Sequence, residues 1–370
     1  MVYLDNAATS FPKPKCVINE VKRCLTQYCG NPGRSSHTMA VEAAARIYNT
    51  RELIADFLGI KNCENVVFTP NATYAINLTI KGLITHKCHC ILSDIEHNSV
   101  LRPMYRCVKE LGCEISHFDS DLTVEDAIAP LIRKDTEFIV TTLASNVTGK
   151  IIDLKELSDV AQKYNLKLIV DASQFLGHIP LSLENIDCTA LCSAGHKALF
   201  GIQGSGFTVF NKIPPLPTLA EGGSGIDSFS REMPIMSPER YEPGTLSTPA
   251  IASLYAGIGF IRSVGIQRIE EHLEKLTQKL LEILHSEKYV KVYGGANGIV
   301  SFNVTGYSSS EVSEILNNYG IATRSGFHCA PLIHQKLGTD ISGAVRMSFS
   351  YFNKISELDK VYRALRSFLP

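Results

Sequence analysis

The stretch Lys167-Leu168-Ile169-Val170-Asp171 is a short apolar run, rich in β-forming residues, that ends in an acid. It closely follows a helix-period run, Leu154–Tyr164, and this alternation repeats through the first two thirds of the chain. Such alternation predicts the α/β class, with a mostly parallel sheet covered by crossover helices. The candidate strands are Asn65–Thr69, Cys90–Asp94, Glu114–Phe118, Phe138–Thr142, Lys167–Asp171, Thr189–Ser193 and Gly206–Phe210. The candidate helices are Ala40–Leu58, Ala72–Ile84, Ser99–Leu111 and Leu154–Tyr164.

A different pattern begins at Ile213, where a long stretch rich in proline and glycine ends at the turn Pro243-Gly244. Residues Pro249–Ser286 then predict one or two helices, with Gly257, Gly259 and Gly265 as candidate breaks. Two short strands, Val290–Tyr293 and Ile299–Asn303, and two further helices, Ser309–Asn318 and Ile355–Phe368, follow. This mixture predicts a smaller α+β domain.

Composition limits the classes of function that remain. The chain has 370 residues, 45% of them hydrophobic and 20% charged, as in ordinary globular proteins. Its net charge of -1 provides no overall field for nucleic acid or an anionic membrane. The longest apolar stretch, Pro249–Ile261, is too short for a bilayer, and the 11 cysteines follow no secretory leader pattern. We therefore expect a cytoplasmic protein with reduced cysteines, without nucleic-acid or membrane partners.

The densest motif is Ser193-Ala194-Gly195-His196-Lys197, which follows an apolar strand. A lysine at a strand end, flanked by small residues, can form a Schiff base with a carbonyl cofactor. For this motif alone, a surface lysine in a glycine-rich turn is the better interpretation. The following run Gly201–Gly206 resembles a phosphate-binding turn, but it leads into a predicted strand, which argues against a dinucleotide site.

Three further polar motifs follow predicted strands. Asp171 could hold a pyridinium nitrogen protonated or simply cap a helix. The segment Asn71-Ala72-Thr73 could receive a phosphate at a helix N-terminus or be an ordinary capped start. His97 would lie at the same sheet edge as Asp171 and Lys197, although a lone loop histidine is usually solvated.

A cysteine motif lies near the C-terminus, in Arg324-Ser325-Gly326-Phe327-His328-Cys329-Ala330-Pro331. Cationic neighbours favour a thiolate, so Arg324 and His328 are candidate sources of a lowered pKa at Cys329. The alternative is one more structural cysteine among eleven. By contrast, Cys88-His89-Cys90 is interpreted as core and not as a metal site, because strand alternation separates the histidine from both thiols.

Taken in order, these segments resemble the class V aminotransferase group of fold-type I enzymes that use pyridoxal 5'-phosphate (PLP). Within that group they resemble the cysteine desulfurases and selenocysteine lyases. The likeness extends from Tyr3-Leu4-Asp5-Asn6-Ala7-Ala8-Thr9 through Asn31–His37 to Arg346-Met347-Ser348-Phe349. The uninterrupted Arg324–Pro331 stretch is similar to the short cysteine loop of the SUF-type, or group II, desulfurases. The resemblance implies a large PLP-binding domain over residues 16–250 and a small α+β domain over residues 1–15 and 251–370.

The resemblance also implies a role for each matching residue. The catalytic residues would be Lys197, which binds the cofactor, Cys329, which takes sulfur, and His97, which stacks on the cofactor ring. The cofactor-binding residues would be Asn71, Ala72, Thr73, His97, Asn146, Asp171, Gln174, Ser193, His196, Lys197 and Thr245. Thr245 would reach across the interface of a homodimer. The substrate-binding residues would be Asn146, Arg324, Arg346 and Arg34, and no metal is implied.

The sequence departs from the family pattern at two positions. Ala194 stands where a hydroxyl residue usually precedes the Gly-His-Lys motif, with Ser193 one position earlier, and Phe327 stands where histidine or leucine is common. The function implied is a cysteine desulfurase that converts L-cysteine to L-alanine, leaves a persulfide on Cys329 and passes sulfur to a protein acceptor. A selenocysteine lyase acting on L-selenocysteine, or another class V enzyme, is the alternative. A nucleotide-binding or sulfur-relay module without PLP is more remote.

Overall fold

The structure is a computed structural model that describes residues 1–33, 35–213 and 215–369. Its strands are β1 (Val2–Tyr3), β2 (Val66–Thr69), β3 (His89–Ser93), β4 (Glu114–Phe118), β5 (Thr136–Thr142), β6 (Lys167–Asp171), β7 (Ala190–Ala194), β8 (Gly206–Phe210), β9 (Val290–Ala296), β10 (Ile299–Val304), β11 (Ile321–Ala322) and β12 (Val345–Ser348). Its α-helices are α1 (Lys15–Arg23), α2 (Thr38–Leu58), α3 (Ala72–Leu83), α4 (Asn98–Leu111), α5 (Val124–Ile128), α6 (Leu154–Lys163), α7 (Thr248–Val264), α8 (Ile266–His285), α9 (Ser309–Asn318), α10 (Pro331–Leu337) and α11 (Ile355–Arg366).

The central sheet has seven strands in the order β2-β8-β7-β6-β5-β3-β4. The neighbours from β7 to β4 are parallel, whereas β8 is antiparallel to both β2 and β7. Strands β3, β7 and β8 are buried along their whole length, which explains why they are continuous apolar runs in the sequence. The predicted α/β class is therefore confirmed. The run Gly201–Gly206 leads into β8 and not into a helix, as predicted.

Side-chain caps begin the helices that follow β2 and β3. The side chain of Asn71 accepts a hydrogen bond from the backbone N–H of Tyr74 and begins α3. The imidazole of His97 accepts one from the backbone N–H of Ser99 and begins α4. Capping satisfies amide groups that a helix start leaves without partners. Two of the predicted functional residues are thus fixed at the carboxyl edge of the sheet.

The C-terminal part of the chain forms a three-stranded antiparallel sheet in the order β12-β10-β9. The N-terminal strand β1 pairs in parallel with β11, so the first residues join this part of the fold. The side chain of Asn6 also donates to the carbonyl of Ser348, the last residue of β12. These contacts agree with a small domain that includes the N-terminal segment, and the domain boundaries themselves stay predictions.

The predicted helical stretch after residue 249 is two helices, α7 and α8, which meet at Gly265. Gly257 and Gly259 lie inside α7 and do not break it. Within the described residues, no single helix has the length and apolar composition of a membrane span. Helices α7 and α8 meet that criterion only as a pair, and the pair is bent by 81°.

Candidate active site

A cavity of about 200 Å³ opens at the carboxyl ends of β3, β5, β6 and β7. Segments from both parts of the fold meet there, because the loops after these strands face the C-terminal cysteine loop. Most of the site residues implied by the resemblance line this one cavity: Asn71, Ala72, Thr73, His97, Asn146, Asp171, Gln174, His196, Lys197, Arg324, Cys329 and Arg346. The sequence motifs therefore converge in space.

Three of the implied residues are not among those that line the cavity. Ser193 is buried within β7, and the lining residue of that strand is Ala194. Thr245 lines a different pocket, together with Asn31 and Gly33, on the same chain. Arg34 lies outside the described residues. Ser193 and Thr245 are thus the implied cofactor contacts that do not line this cavity of their own chain.

The amine of Lys197 is enclosed by the cavity. Desolvation lowers the pKa of Lys197 to about 8, and the positive charges of Arg346 and Arg324 act in the same direction. The carboxylate of Asp171 opposes this shift. At pH 7 roughly a tenth of the amine is therefore unprotonated, far more than in an ordinary lysine, and this is the form that attacks a carbonyl carbon or accepts a proton.

His97 is neutral at neutral pH. Desolvation and the charge of Lys197 lower the pKa of His97 to about 4. Its Nδ1 accepts the backbone N–H of Ser99 at 3.0 Å, so the ring proton lies on Nε2. The Ser99 hydroxyl lies 2.8 Å from Nδ1 and 3.1 Å from the Thr73 hydroxyl. Ser99 also lines the cavity, and the sequence signal that could have revealed it is its position two residues after His97.

Asp171 ends β6 and is buried, with Oδ1 accepting the backbone N–H of Ser173 at 2.9 Å. Close to it lies Glu96, which sequence analysis did not single out and which is fully buried. Glu96 Oε1 accepts the backbone N–H of Thr142 at 2.7 Å, and desolvation raises the pKa of this carboxyl to about 8. Glu96 is therefore largely neutral near pH 7, and it supports the end of β5 beside the cavity.

Arg346 is almost completely buried and connects three segments. Its NH2 group pairs with Asp5 at 3.0 Å, and its NH1 group donates to the carbonyl of Asn146 at 2.8 Å. Arg324 lies opposite in the backbone, where the two residues exchange backbone hydrogen bonds. Two guanidinium groups thus face one cavity. Asp5 was part of the N-terminal motif, but nothing local in the sequence paired it with Arg346.

The cysteine loop has an unusual backbone. His328 and Cys329 both adopt left-handed conformations, with φ of 48° and 58°, which cost free energy for residues with a Cβ. The loop is held by the Asn146 side chain, which donates to the His328 carbonyl at 2.6 Å, and by the Asn98 N–H, which donates to the Cys329 carbonyl at 2.8 Å. Cys329 is exposed.

One electrostatic expectation for this loop is wrong. Burial and the charge of Arg346 lower the pKa of His328 to about 3, so its imidazole carries no positive charge at neutral pH. It cannot stabilise a thiolate at Cys329 in the way expected from the sequence. Arg324 lines the cavity together with Cys329.

The lining contains buried polar atoms without hydrogen-bond partners among the described residues. They are Asn146 Oδ1, Ser173 Oγ, His196 Nδ1, His328 Nδ1 and Arg346 Nε. Buried polar groups are nearly always paired in native proteins, so this concentration at one place indicates a polar ligand. The functional groups that line the cavity suit PLP. They include an amine for a carbonyl, an acid for a ring nitrogen, and the start of α3 for a phosphate.

Cys88, Cys90 and His89 are buried in the core, as predicted. The two thiol sulfurs lie 3.8 Å apart on one face, and His89 is hydrogen-bonded to Thr136 and Ser116 on the other. Among the described residues, no group of three or more His, Cys, Asp or Glu could hold a metal ion.

Comparison with known proteins places the chain in a family. Residues 2–361 match the family model described as Aminotransferase class-V. A probable cysteine desulfurase of Methanothermobacter thermautotrophicus is 30% identical over 96% of this chain and 92% of its own. A probable cysteine desulfurase of Pyrococcus abyssi is also 30% identical, over 99% of this chain and 96% of its own.

The structural comparison agrees with the sequence comparison. The apo structure of a cysteine desulfurase from Thermococcus onnurineus NA1 has a TM-score of 0.92 and 29% identity, and the match covers 100% of this chain and 94% of that one. The chain belongs to the aminotransferase class V family. The relatives that it matches over nearly its full length are cysteine desulfurases, as the resemblance implied.

Proposed function

We propose that this protein is a PLP-dependent cysteine desulfurase that converts L-cysteine to L-alanine and leaves the sulfur on Cys329 as a persulfide. The observation that carries the proposal is that the Lys197 amine, the Asp171 carboxylate and the Cys329 thiol line the same cavity. A sulfur acceptor thus lies beside a lysine and an acid suited to PLP. The full-length relatives support the same activity.

The cavity offers a partner for each part of the cofactor. Lys197 would hold its carbonyl carbon and Asp171 its ring nitrogen. His97 would contact the face of the ring, and Gln174 the phenolic oxygen. The phosphate would be received by Asn71, Ala72, Thr73 and His196 at the start of α3 and beside it. When bound, PLP supplies an electron-accepting ring that stabilises negative charge at the substrate α-carbon.

The substrate carboxylate has a cationic partner in the same cavity. Arg346 is fixed by Asp5 and Asn146, yet its buried Nε has no partner among the described residues. An N–H group of this kind favours a carboxylate oxygen, and Arg324 adds a second charge. The cavity thus selects an amino acid with a free carboxylate.

Lys197 moves the proton and Cys329 takes the sulfur. The unprotonated Nζ of Lys197 removes the proton from the substrate α-carbon, as its lowered pKa permits. The Cys329 thiolate then attacks the substrate sulfur, so that one S–S bond forms and the carbon–sulfur bond breaks. The bonding electron pair stays with the substrate carbon, which is reduced and takes a proton. The net change is L-cysteine plus Cys329 thiol to L-alanine plus Cys329 persulfide.

A homodimer and a protein sulfur acceptor belong to the same proposal. Thr245 lies away from the cavity of its own chain, which supports its assignment to the phosphate of a partner subunit. The exposure of Cys329 supports transfer of its sulfur to a second protein. A cytoplasmic location is part of the proposal.

The test compares two substrates in two variants. Cys329→Ala should retain the visible absorbance of bound PLP but lose persulfide formation and nearly all alanine release from L-cysteine. It should release alanine from L-selenocysteine at a rate much closer to that of the parent, because selenium can leave without attack by a thiol. Lys197→Ala should lose both reactions. If mass spectrometry finds the added sulfur only on other cysteines, the assignment of Cys329 is wrong. If the parent cleaves L-selenocysteine alone, the protein is a selenocysteine lyase.

A further inference from the structure

Lys336 makes an unusual set of ion pairs close to the cysteine loop. It lies on α10, which begins two residues after Cys329. Its Nζ lies 2.6 Å from Asp94 Oδ2, 2.5 Å from Asp119 Oδ1 and 2.7 Å from Asp121 Oδ2. One amine is therefore shared by three carboxylates. We call this set the Lys336 cluster.

The three carboxylates belong to the sheet that carries the rest of the site. Asp94 directly follows β3 and lies three residues before His97, while Asp119 and Asp121 follow β4. Asp94 Oδ1 also accepts the backbone N–H of Ser120, which ties the two strand ends together. The Lys336 cluster therefore connects the segment that carries Cys329 to the strand end that carries His97.

The cluster differs from the isolated surface pairs of the chain. An exposed pair contributes little because solvent screens it and both side chains lose freedom. Here one lysine serves three contacts, and although the side chains of Asp119 and Asp121 are at least half exposed, that of Asp94 is only 17% exposed. Burial works against the charge on Lys336, but the hydrogen bonds that its amine donates to Asp119, Asp121 and Asp94 raise its pKa above the ordinary value. The amine stays charged, and without it the three carboxylates would repel one another, with Lys150, which pairs with Asp121, left to offset their charge.

The cysteine loop needs an anchor outside itself. Two consecutive left-handed residues, His328 and Cys329, do not hold their conformation by local preference, and helix α10 is only seven residues long. The side-chain and backbone contacts from Asn146 and Asn98 hold the front of the loop. The Lys336 cluster holds the helix behind it.

We propose that Lys336 is a positioning residue for sulfur transfer, which fixes α10 against the ends of β3 and β4 and so keeps the Cys329 thiol over the cavity. This inference rests on the proposed function. It concerns the step in which the Cys329 sulfur bonds to the substrate sulfur while the carbon–sulfur bond breaks. Binding of cofactor and of the substrate carboxylate does not depend on it.

The experiment measures two reactions of the PLP-loaded protein. We expect Lys336→Met to slow the appearance of sulfur on Cys329 by at least about tenfold, since small misplacements of reacting groups have large effects on rate. L-selenocysteine cleavage, PLP absorbance and the KM for L-cysteine should stay close to those of the parent. Lys336→Arg, which retains the charge, should recover most of the rate. Asp119→Asn, which leaves the pair of Asp121 with Lys150 intact, should also slow sulfur transfer without altering Lys336.

Lys155→Met is the matched control, because Lys155 pairs with Asp159 on the exposed face of α6, where neither contacts the cysteine loop. It should leave both reactions unchanged. Sulfur transfer at the parental rate in Lys336→Met would overturn the inference. So would an equal loss of both reactions, which would show a general structural role. A parent that places no sulfur on Cys329 would instead refute the proposed function.

Discussion

Helix α7 packs closely on the loop that carries Lys197, and Gly257 is the residue that permits this approach. A Cβ atom at position 257 would lie 2.1 Å from the backbone oxygen of Leu199, two residues after Lys197. Two positions further along the same helix, Gly259 is exposed, and a Cβ there would have nothing within 4 Å. The two glycines form a matched pair for substitution by alanine.

The expected effects have opposite signs. In a helix interior, alanine is favoured over glycine by about 1 kcal/mol, so Gly259→Ala should raise the free energy of unfolding by roughly 0.5–1 kcal/mol. Gly257→Ala gains the same helix-propensity free energy, but it inserts a methyl group against a backbone oxygen that cannot rotate away. Overpacking of this kind costs about 1–3 kcal/mol, and at 2.1 Å the upper end applies, so a net loss of about 2–2.5 kcal/mol is expected once the helix gain is subtracted.

Cofactor binding should also differ between the two variants. If the chain relieves the contact by moving Leu199, Lys197, two residues earlier in the same loop, should move with it, so Gly257→Ala should bind PLP more weakly than Gly259→Ala. Urea unfolding of both variants measures stability, and absorbance during PLP titration measures cofactor binding. The reasoning fails if Gly257→Ala is as stable as Gly259→Ala, or if both variants lose stability equally.

Three further outcomes are expected. The rate at which PLP rebinds to the cofactor-free protein should rise about tenfold per pH unit up to about pH 8 and then level off, because Lys197 is mainly protonated below its lowered pKa. A rate that still rises steeply above pH 9 would contradict this. Arg51→Met should lower the free energy of unfolding in urea by about 3–5 kcal/mol, because it leaves the buried Glu242 carboxylate without its ion-pair partner. Arg262→Met, which breaks an exposed pair with Asp56, should lower it by less than about 1 kcal/mol. Mixing Lys197→Ala and Thr245→Ala chains should restore activity if each site draws Thr245 from the partner, and a mixture with no more activity than its components would argue against shared sites.

Local sequence patterns predicted most of the strands and helices of the central sheet and its covering layers. The alternation around Lys167–Asp171 predicted β6, α6 and their neighbours to within a residue or two, because the buried strands of a parallel sheet are apolar along their whole length. Gly257 and Gly259 look alike in sequence, and only the approach of Leu199 separates them. Ala194 lines the cavity and Ser193 does not, and the motif alone does not show which of the two residues faces the site.

Contacts between segments that are distant in the chain could not be predicted from the sequence. Asp5 and Arg346 are separated by 341 residues, and Lys336 meets Asp94 across 242. Charged residues of both signs occur throughout the chain, so no local pattern selects these partners. The family resemblance assigned Arg346 a role, but the acid that fixes it became visible only when β1 and β12 were placed in the same part of the fold.

The charges of the cavity explain how a chain of net charge -1 attracts an anionic cofactor and substrate. Desolvation lowers the pKa of His97, His196 and His328, so these rings are neutral at pH 7. The positive charge then comes from Arg324, Arg346 and the mostly protonated Lys197, whose pKa the two arginines also lower. A phosphate and a carboxylate entering the cavity would each compensate positive charge there and would favour protonation of Lys197. The lowered pKa therefore leaves part of the Lys197 amine unprotonated to attack a carbonyl carbon, and bound anions then favour an amine that retains the proton it has removed.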